Sequence, residues 1–174
     1  MERTLIVLKP DTVKRGIVGE ILSRFEKAGL KVIGMKMLQP DYDHYYHHYE
    51  NIGKMVSRRG KEAFDITLEF MNEGPVVACV LEGIDSVELV RKMVGDTEPY
   101  KAAPGTIRGD YAHMNFGHSN KEQIGVPNLI HASGDQNEAK DEIFHWFNDD
   151  ELFQYETVHE LYTQARNRKK SQKK

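Results

Sequence analysis

Apolar and polar positions fall into short continuous runs and helical stripes. Together they predict an alternation of strands and helices. Thr4-Leu5-Ile6-Val7-Leu8 is an apolar run stopped by Lys9-Pro10-Asp11, which predicts a strand buried on both faces. Ile17, Ile21, Leu22, Phe25 and Ala28 share one side of a helix that Gly29 ends. Lys31–Leu38 reads as a second strand before Pro40. Asp41 offers an N-cap to a tyrosine- and histidine-rich helix reaching about Glu50, and residues 51–60 read as a loop. Phe64, Leu68 and Met71 stripe a helix over 61–72. The run 76–81 is apolar throughout and predicts a central strand. Asp85 with Glu88 has the spacing of a capping box for a helix lined by Val87, Val90 and Val94. Residues 96–127 read as one long irregular stretch, and such stretches inside a small domain are usually functional. Residues 128–131 form a last short strand. Asp135 and Glu138 cap a helix whose inner face is Ala139, Ile143, Trp146 and Phe147, and residues 151–165 read as an arm packed on the body. The order β-α-β-α-α-β-α-loop-β-α fits either a doubly wound parallel sheet or a ferredoxin-like sandwich, and the pattern alone leaves both open.

At 174 residues, with 39% hydrophobic and 29% charged positions, one globular domain is expected. The charge is unevenly spread. Arg166–Lys174 holds six Lys/Arg and no acid, so removing those charges from the net -3 leaves -9 on residues 1–165. The expected organisation is a domain over 1–165 and a basic tail over 166–174. An acidic body argues against nucleic acid as the main partner, and binding through the tail is the alternative that survives. The lone Cys79 excludes an internal disulfide and a cysteine zinc cluster. No apolar run approaches the ~20 residues of a membrane span, and the N-terminus lacks a secretory pattern, so no membrane and a cytoplasmic location are expected.

G-x-G-x-x-G, Walker A, G-x-S-x-G and H-E-x-x-H motifs are absent from the sequence. A dispersed set of polyphosphate-binding types remains: Lys9 at the end of the first strand, Arg91 and Thr97, Arg108 in a glycine-flanked segment, and Asn128. His131 lies where an apolar strand meets the small-residue turn Ala132-Ser133-Gly134, ahead of a helix N-terminus. Glu142, two helical turns into that helix, is positioned to orient the imidazole. His44, His47 and His48 have helical spacing that suits a metal, though an exposed or interface helix is the simpler reading, and no metal-ligating residue is assigned.

The segment Asn128-Leu129-Ile130-His131-Ala132-Ser133 resembles the active-site signature of the nucleoside diphosphate kinases. Three further blocks match in order: Arg3–Asp11 followed by Arg15–Ile21, Gly74–Ala78, and Pro104–Asp110. The resemblance implies a ferredoxin-like α+β sandwich with an antiparallel four-stranded sheet. It implies ping-pong transfer of a γ-phosphoryl group from a nucleoside triphosphate to a diphosphate, with His131 as nucleophile. Glu142 would orient the histidine, Tyr49 would support the site and Ser133 would sit beside it. Lys9, Arg91, Thr97, Arg108 and Asn128 would grip phosphates and ribose, with Mg²⁺ accompanying the nucleotide. A homo-oligomer, hexamer or tetramer, built from dimers is also implied. Gly134 stands where the family carries Asp. Phe64 is the ring assigned to the nucleobase, Arg58 or Arg59 the loop arginine, and 112–125 an insertion. A non-catalytic nucleotide-binding module on the same fold is the competing expectation.

Overall fold

The computed structural model describes residues 1–164; the predicted basic tail, 166–174, lies outside them. Strands β1 (Glu2–Leu8), β2 (Lys31–Leu38), β3 (Val76–Gly83) and β4 (Ile130–Ala132) form one antiparallel sheet in the order β2-β3-β1-β4. The helices are α1 (Pro10–Lys14), α2 (Val18–Lys27), α3 (Tyr42–Tyr46), α4 (Met55–Arg59), α5 (Lys61–Met71), α6 (Ser86–Val94), α7 (Ile107–Tyr111), α8 (Phe116–Glu122), α9 (Gln136–Trp146) and α10 (Glu160–Thr163). The antiparallel order is ferredoxin-like, and the parallel alternative is excluded.

Alternation along the strands builds two cores. Leu5, Val7, Val76, Ala78 and Val80 face Phe64, Leu68, Met71 and Trp146. Ile6, Leu8, Val77, Cys79 and Leu81 face Ile21, Phe25, Val90, Val94 and Ile107 on the other side. This register matters for the chemistry. His131 pairs across from Val7, so it shares Val7's face and looks toward the layer that holds α9. A one-residue slip of β4 would turn it to the opposite layer.

Several expectations need correction. Residues 51–60 are not simply a loop: a wide helical turn over His47–Ile52 leads, through Lys54 at positive φ, into α4. The stretch 96–127 is not one irregular segment, since it holds a short turn at Pro99–Lys101 together with α7 and α8. Asp85 makes no side-chain cap. Glu2 Oε2 instead accepts from the backbone N–H of Val87 at 2.8 Å, so an acid distant in sequence supplies the cap. Asp135 does cap α9, accepting from Asn137 and Glu138, while the Glu138 carboxylate accepts from Gly134 N–H. The arm 152–164 packs on edge strand β2: Phe153 N–H donates to Ile33 O at 2.7 Å, and Tyr155 Oη–H to Val32 O at 2.6 Å. Among the described residues, no helix is long and apolar enough to cross a membrane.

Candidate active site

A cleft of about 620 Å³ opens beside the end of β1. Its floor is set by a backbone anomaly. Leu129 has φ +72, a left-handed conformation costly for a branched side chain. Three bonds to the segment after β1 hold it. Leu129 N–H donates to Asp11 Oδ2 at 3.0 Å, and its carbonyl accepts from Lys9 N–H at 2.8 Å and Thr12 Oγ1 at 2.6 Å. The strand carrying His131 is thus tied to the turn carrying Lys9.

Around that turn the cations are fixed from behind. Arg108 is buried and donates to three carbonyls: Asn128 O at 3.0 Å, Gly95 O at 3.0 Å and Ile130 O at 2.5 Å. A guanidinium has five N–H donors, so two remain for a ligand. Gly95, at φ +87, is the residue that presents its carbonyl here; a Cβ would meet the side chain of Thr106. Lys9 Nζ donates to Asn128 Oδ1 at 2.7 Å, and Asn128 Nδ2 donates to Thr97 O at 2.9 Å. Burial, then the nearby Arg108, pulls the Lys9 pKa down to about 8. Burial and the field of Arg91 lower Arg108 to about 10. Two buried cations, each depressed by burial and by a neighbouring arginine, form a site that an anion relaxes.

The histidine is oriented by a relay. His131 Nε2 lies 2.7 Å from Glu142 Oε1. Ser133 Oγ–H donates to Glu142 Oε2 at 2.6 Å and accepts from Leu5 N–H at 3.2 Å. The carboxylate thus takes one donor on each oxygen, which assigns the imidazole proton to Nε2 and the lone pair to Nδ1. Burial, reinforced by Lys9, Arg108 and Arg91, drives the His131 pKa down to about 3, so the ring is neutral at physiological pH. Burial raises Glu142, with Ser133 and His48 opposing. Tyr49 also lines the cleft. Its hydroxyl is buried without a partner, and burial pushes its pKa up, leaving a neutral phenol able to donate.

Arg91, Thr97, Asn128 and Tyr49 therefore gather with Lys9, Arg108 and His131 around one cleft, while Ser133 stands behind Glu142. Phe64 does not join them. It is 2% exposed in the core, edge-on to Tyr46 at 5.5 Å, because the helical stripe that suggested it points inward. The phenylalanine rings that do line the cleft are Phe70 and Phe116. Gly125 lies so close to Phe70 that a Cβ would strike the ring, which lets the insertion close over it. Arg58 and Arg59 both line the cleft; the Arg59 guanidinium lies 5.4 Å over the Phe116 ring.

The histidines of the α3 region are not a metal set. His44 stacks on His145 at 3.9 Å, whereas His48 turns inward. One ligating atom from each of His48, His131 and Glu142 lies within 4.8 Å of the other two, close enough to share an ion, and His48 Nδ1 is 3.7 Å from Glu142 Oε1. However, Trp146 Nε1–H occupies the Nδ1 lone pair at 3.2 Å, and this nitrogen-rich, buried set is foreign to Mg²⁺, which takes oxygen ligands. Sequence reading weighed His48 only as a metal ligand and gave Asp11, Thr12 and Phe116 no role. Asp11 and Thr12 stand beside Lys9-Pro10, a proximity that gave some signal; Phe116 gave none.

A family model described as nucleoside diphosphate kinase matches residues 2–152. The nucleoside diphosphate kinase of Borreliella burgdorferi is 41% identical over 155 residues, covering 89% of this chain and 92% of that one. That of Pyrococcus horikoshii is 47% identical over 154 residues, covering 88% and 90%. A solved structure of the Borrelia burgdorferi enzyme, described as a transition-state mimic with bound vanadate and ADP, superposes with a TM-score of 0.89 at 40% identity, covering 92% of this chain and 95% of that one. The Halobacterium salinarum enzyme in complex with CDP gives 0.78 at 38% identity, covering 92% and 97%.

Proposed function

The chain belongs to the nucleoside diphosphate kinase family and is a nucleoside-diphosphate kinase; from that premise we propose how its own residues perform the transfer. His131 Nδ1 attacks the γ-phosphorus of a nucleoside triphosphate. The N–P bond forms, the bond to the β,γ-bridging oxygen breaks, and the diphosphate leaves with those electrons. A terminal oxygen of a second nucleoside diphosphate then takes the phosphoryl group back. The supporting observation is the 2.7 Å bond from His131 Nε2 to a carboxylate that Ser133 also holds, beside two buried cations with donors to spare. As Nδ1 acquires the phosphoryl group the ring becomes cationic, and Glu142 stabilises that charge.

Lys9, Arg91, Arg108 and the Tyr49 hydroxyl receive the phosphates. Thr97 and Asn128 complete that wall. The bound vanadate and ADP of the Borrelia relative are the reagents such a site accommodates. Mg²⁺ enters as part of the substrate, on the nucleotide's phosphates. The stacking role that the sequence gave to Phe64 passes to Phe116, which lines the cleft and is anchored by its backbone N–H on Glu98 Oε1 at 2.9 Å. Stacking on a ring predicts low discrimination among bases.

A homo-oligomer remains our expectation, since Met35 and Met37 stand 59% and 61% exposed on edge strand β2; light scattering tests it. A reducing, cytoplasmic setting suits the single buried thiol of Cys79. The catalytic unit is residues 1–165.

The decisive experiment is incubation with γ-labelled ATP. Wild-type protein should acquire an acid-labile, alkali-stable label, and His131→Ala should lose both label and transfer. Retained labelling in that variant overturns the assignment and favours another nucleophile; nucleotide binding with neither label nor transfer in the wild type favours the non-catalytic module.

A further inference from the structure

A second imidazole lies against the reacting one and has no part in the transfer described above. His48 is 2% exposed, and its ring stands edge to face with that of His131, centroids 4.5 Å apart at 80°. Its Nδ1 faces two groups: Trp146 Nε1 at 3.2 Å and Glu142 Oε1 at 3.7 Å. An indole N–H donates and cannot accept. Nδ1 must therefore offer its lone pair to Trp146, and the ring proton sits on Nε2. In that tautomer His48 has no hydrogen to give Glu142 Oε1, and the oxygen is left to His131 Nε2–H.

The other tautomer would behave differently. With its proton on Nδ1, His48 would donate to Glu142 Oε1 and share the carboxylate's charge. The bond that keeps the His131 proton on Nε2 would weaken. A fraction of His131 would then carry its proton on Nδ1, where there is no lone pair to attack phosphorus.

We propose that Trp146 is a positioning residue for phosphoryl transfer: by donating to His48 Nδ1 it locks His48 in the tautomer that cannot compete for Glu142, and so keeps the His131 nucleophile in its reactive form. The proposal rests on His131 being the nucleophile. It concerns hydrogen placement, not packing. Trp146 also fills the core between Tyr45 and His44, and a purely structural role would show itself differently.

The test is a pair of variants read by single-turnover loading of label from ATP. Trp146→Phe keeps an aromatic ring and deletes the N–H. Loading should slow about tenfold, the scale of one lost hydrogen bond near 1.4 kcal/mol. Trp146→Phe combined with His48→Phe removes the competing donor and should recover most of the wild-type rate. A double variant as slow as the single one, or slower, overturns the lock and leaves Trp146 a packing residue; so does a single variant that loads at the wild-type rate. Imidazole ¹⁵N shifts of the wild-type protein provide a readout that needs no variant. His48 Nδ1 should be unprotonated and Nε2 protonated, and a proton on Nδ1 overturns the proposal. That measurement does not depend on where the phosphoryl group goes, so its failure is distinct from labelling that survives in His131→Ala.

Discussion

The cleft has two walls built on different terms. On the inner wall, Lys9, Arg108, Asn128 and Glu142 are buried and bonded from behind, mostly to backbone groups of β1, β4 and their flanking turns and, for Glu142, to Ser133. On the outer wall, Arg58 and Arg59 of α4 are exposed surface side chains, and Arg59 meets the insertion through a ring contact with Phe116. The inner wall is held still before substrate arrives, which is what stabilising a developing charge requires. The outer wall holds its groups weakly, so they can move as a nucleotide enters. Rigidity is concentrated where charge moves, and adjustability where the substrate's variable end lies.

If this contrast is sound, Arg108→Ala should produce the largest effect. It removes two free donors and also takes a donor from three carbonyls, of which Asn128 O keeps the Ile130 N–H at 2.8 Å. Turnover should fall about a hundredfold or more, and stability should drop by roughly 2–4 kcal/mol because buried acceptors are orphaned. Steady-state kinetics and denaturant melts check both; a kinetic defect with unchanged stability would show that the inner wall is not pre-built.

Acid should come next. Burial drives His131 to about 3, His44 to about 4, and His48 well below the ordinary value. The unfolded chain therefore binds protons below pH ~6.5 that the native fold refuses. Stability should hold above that pH and fall as pH drops from ~6.5 toward 4. Asp11 and Glu142, raised by burial, bind protons in the native fold and oppose the trend. His44→Phe should flatten the slope; an unchanged slope would remove the stacked imidazoles from this account.

Outer-wall changes should be milder. Phe116→Ala and Arg59→Ala should raise KM about three- to tenfold with kcat and melting temperature little altered, the pattern of lost uniform binding. A collapse of kcat would merge the two walls into one. Deleting residues 166–174 should leave phosphotransfer and folding unchanged, and retained nucleic-acid binding by the shortened chain would exclude the tail as its cause.

Much of the site was legible because its groups sit beside local punctuation. Lys9 precedes Pro10, Arg108 lies between glycines, and His131 ends an apolar run ahead of small residues. Glu142 could be placed because a helix turns at a known rate. Phe64 misled because a helical stripe of apolar residues has the same form whether it faces a core or a cleft. Its helix turns it against Tyr46, and the ring at the cleft comes from the insertion, where no periodicity marks it. The cap on α6 was misassigned for a related reason: Glu88 had the right spacing, but Glu2, 85 residues from the Val87 N–H whose hydrogen bond it accepts, had the right position.

By itself the sequence determined the strands and most helices, the family and the reactive imidazole, since these rest on periodicity, punctuation and short motifs that a chain carries in linear order. Tertiary structure decided the register that puts His131 on Val7's face, the left-handed turn at Leu129, the Ser133 bond that completes the Glu142 relay, and the Trp146–His48 pair behind it. Apart from the Ser133–Glu142 bond, which spans nine residues, each of these is a bond between residues about a hundred positions apart or a backbone shape such bonds enforce. The geometry of a hydrogen bond is set where the elements pack, not by the residues on either side of it.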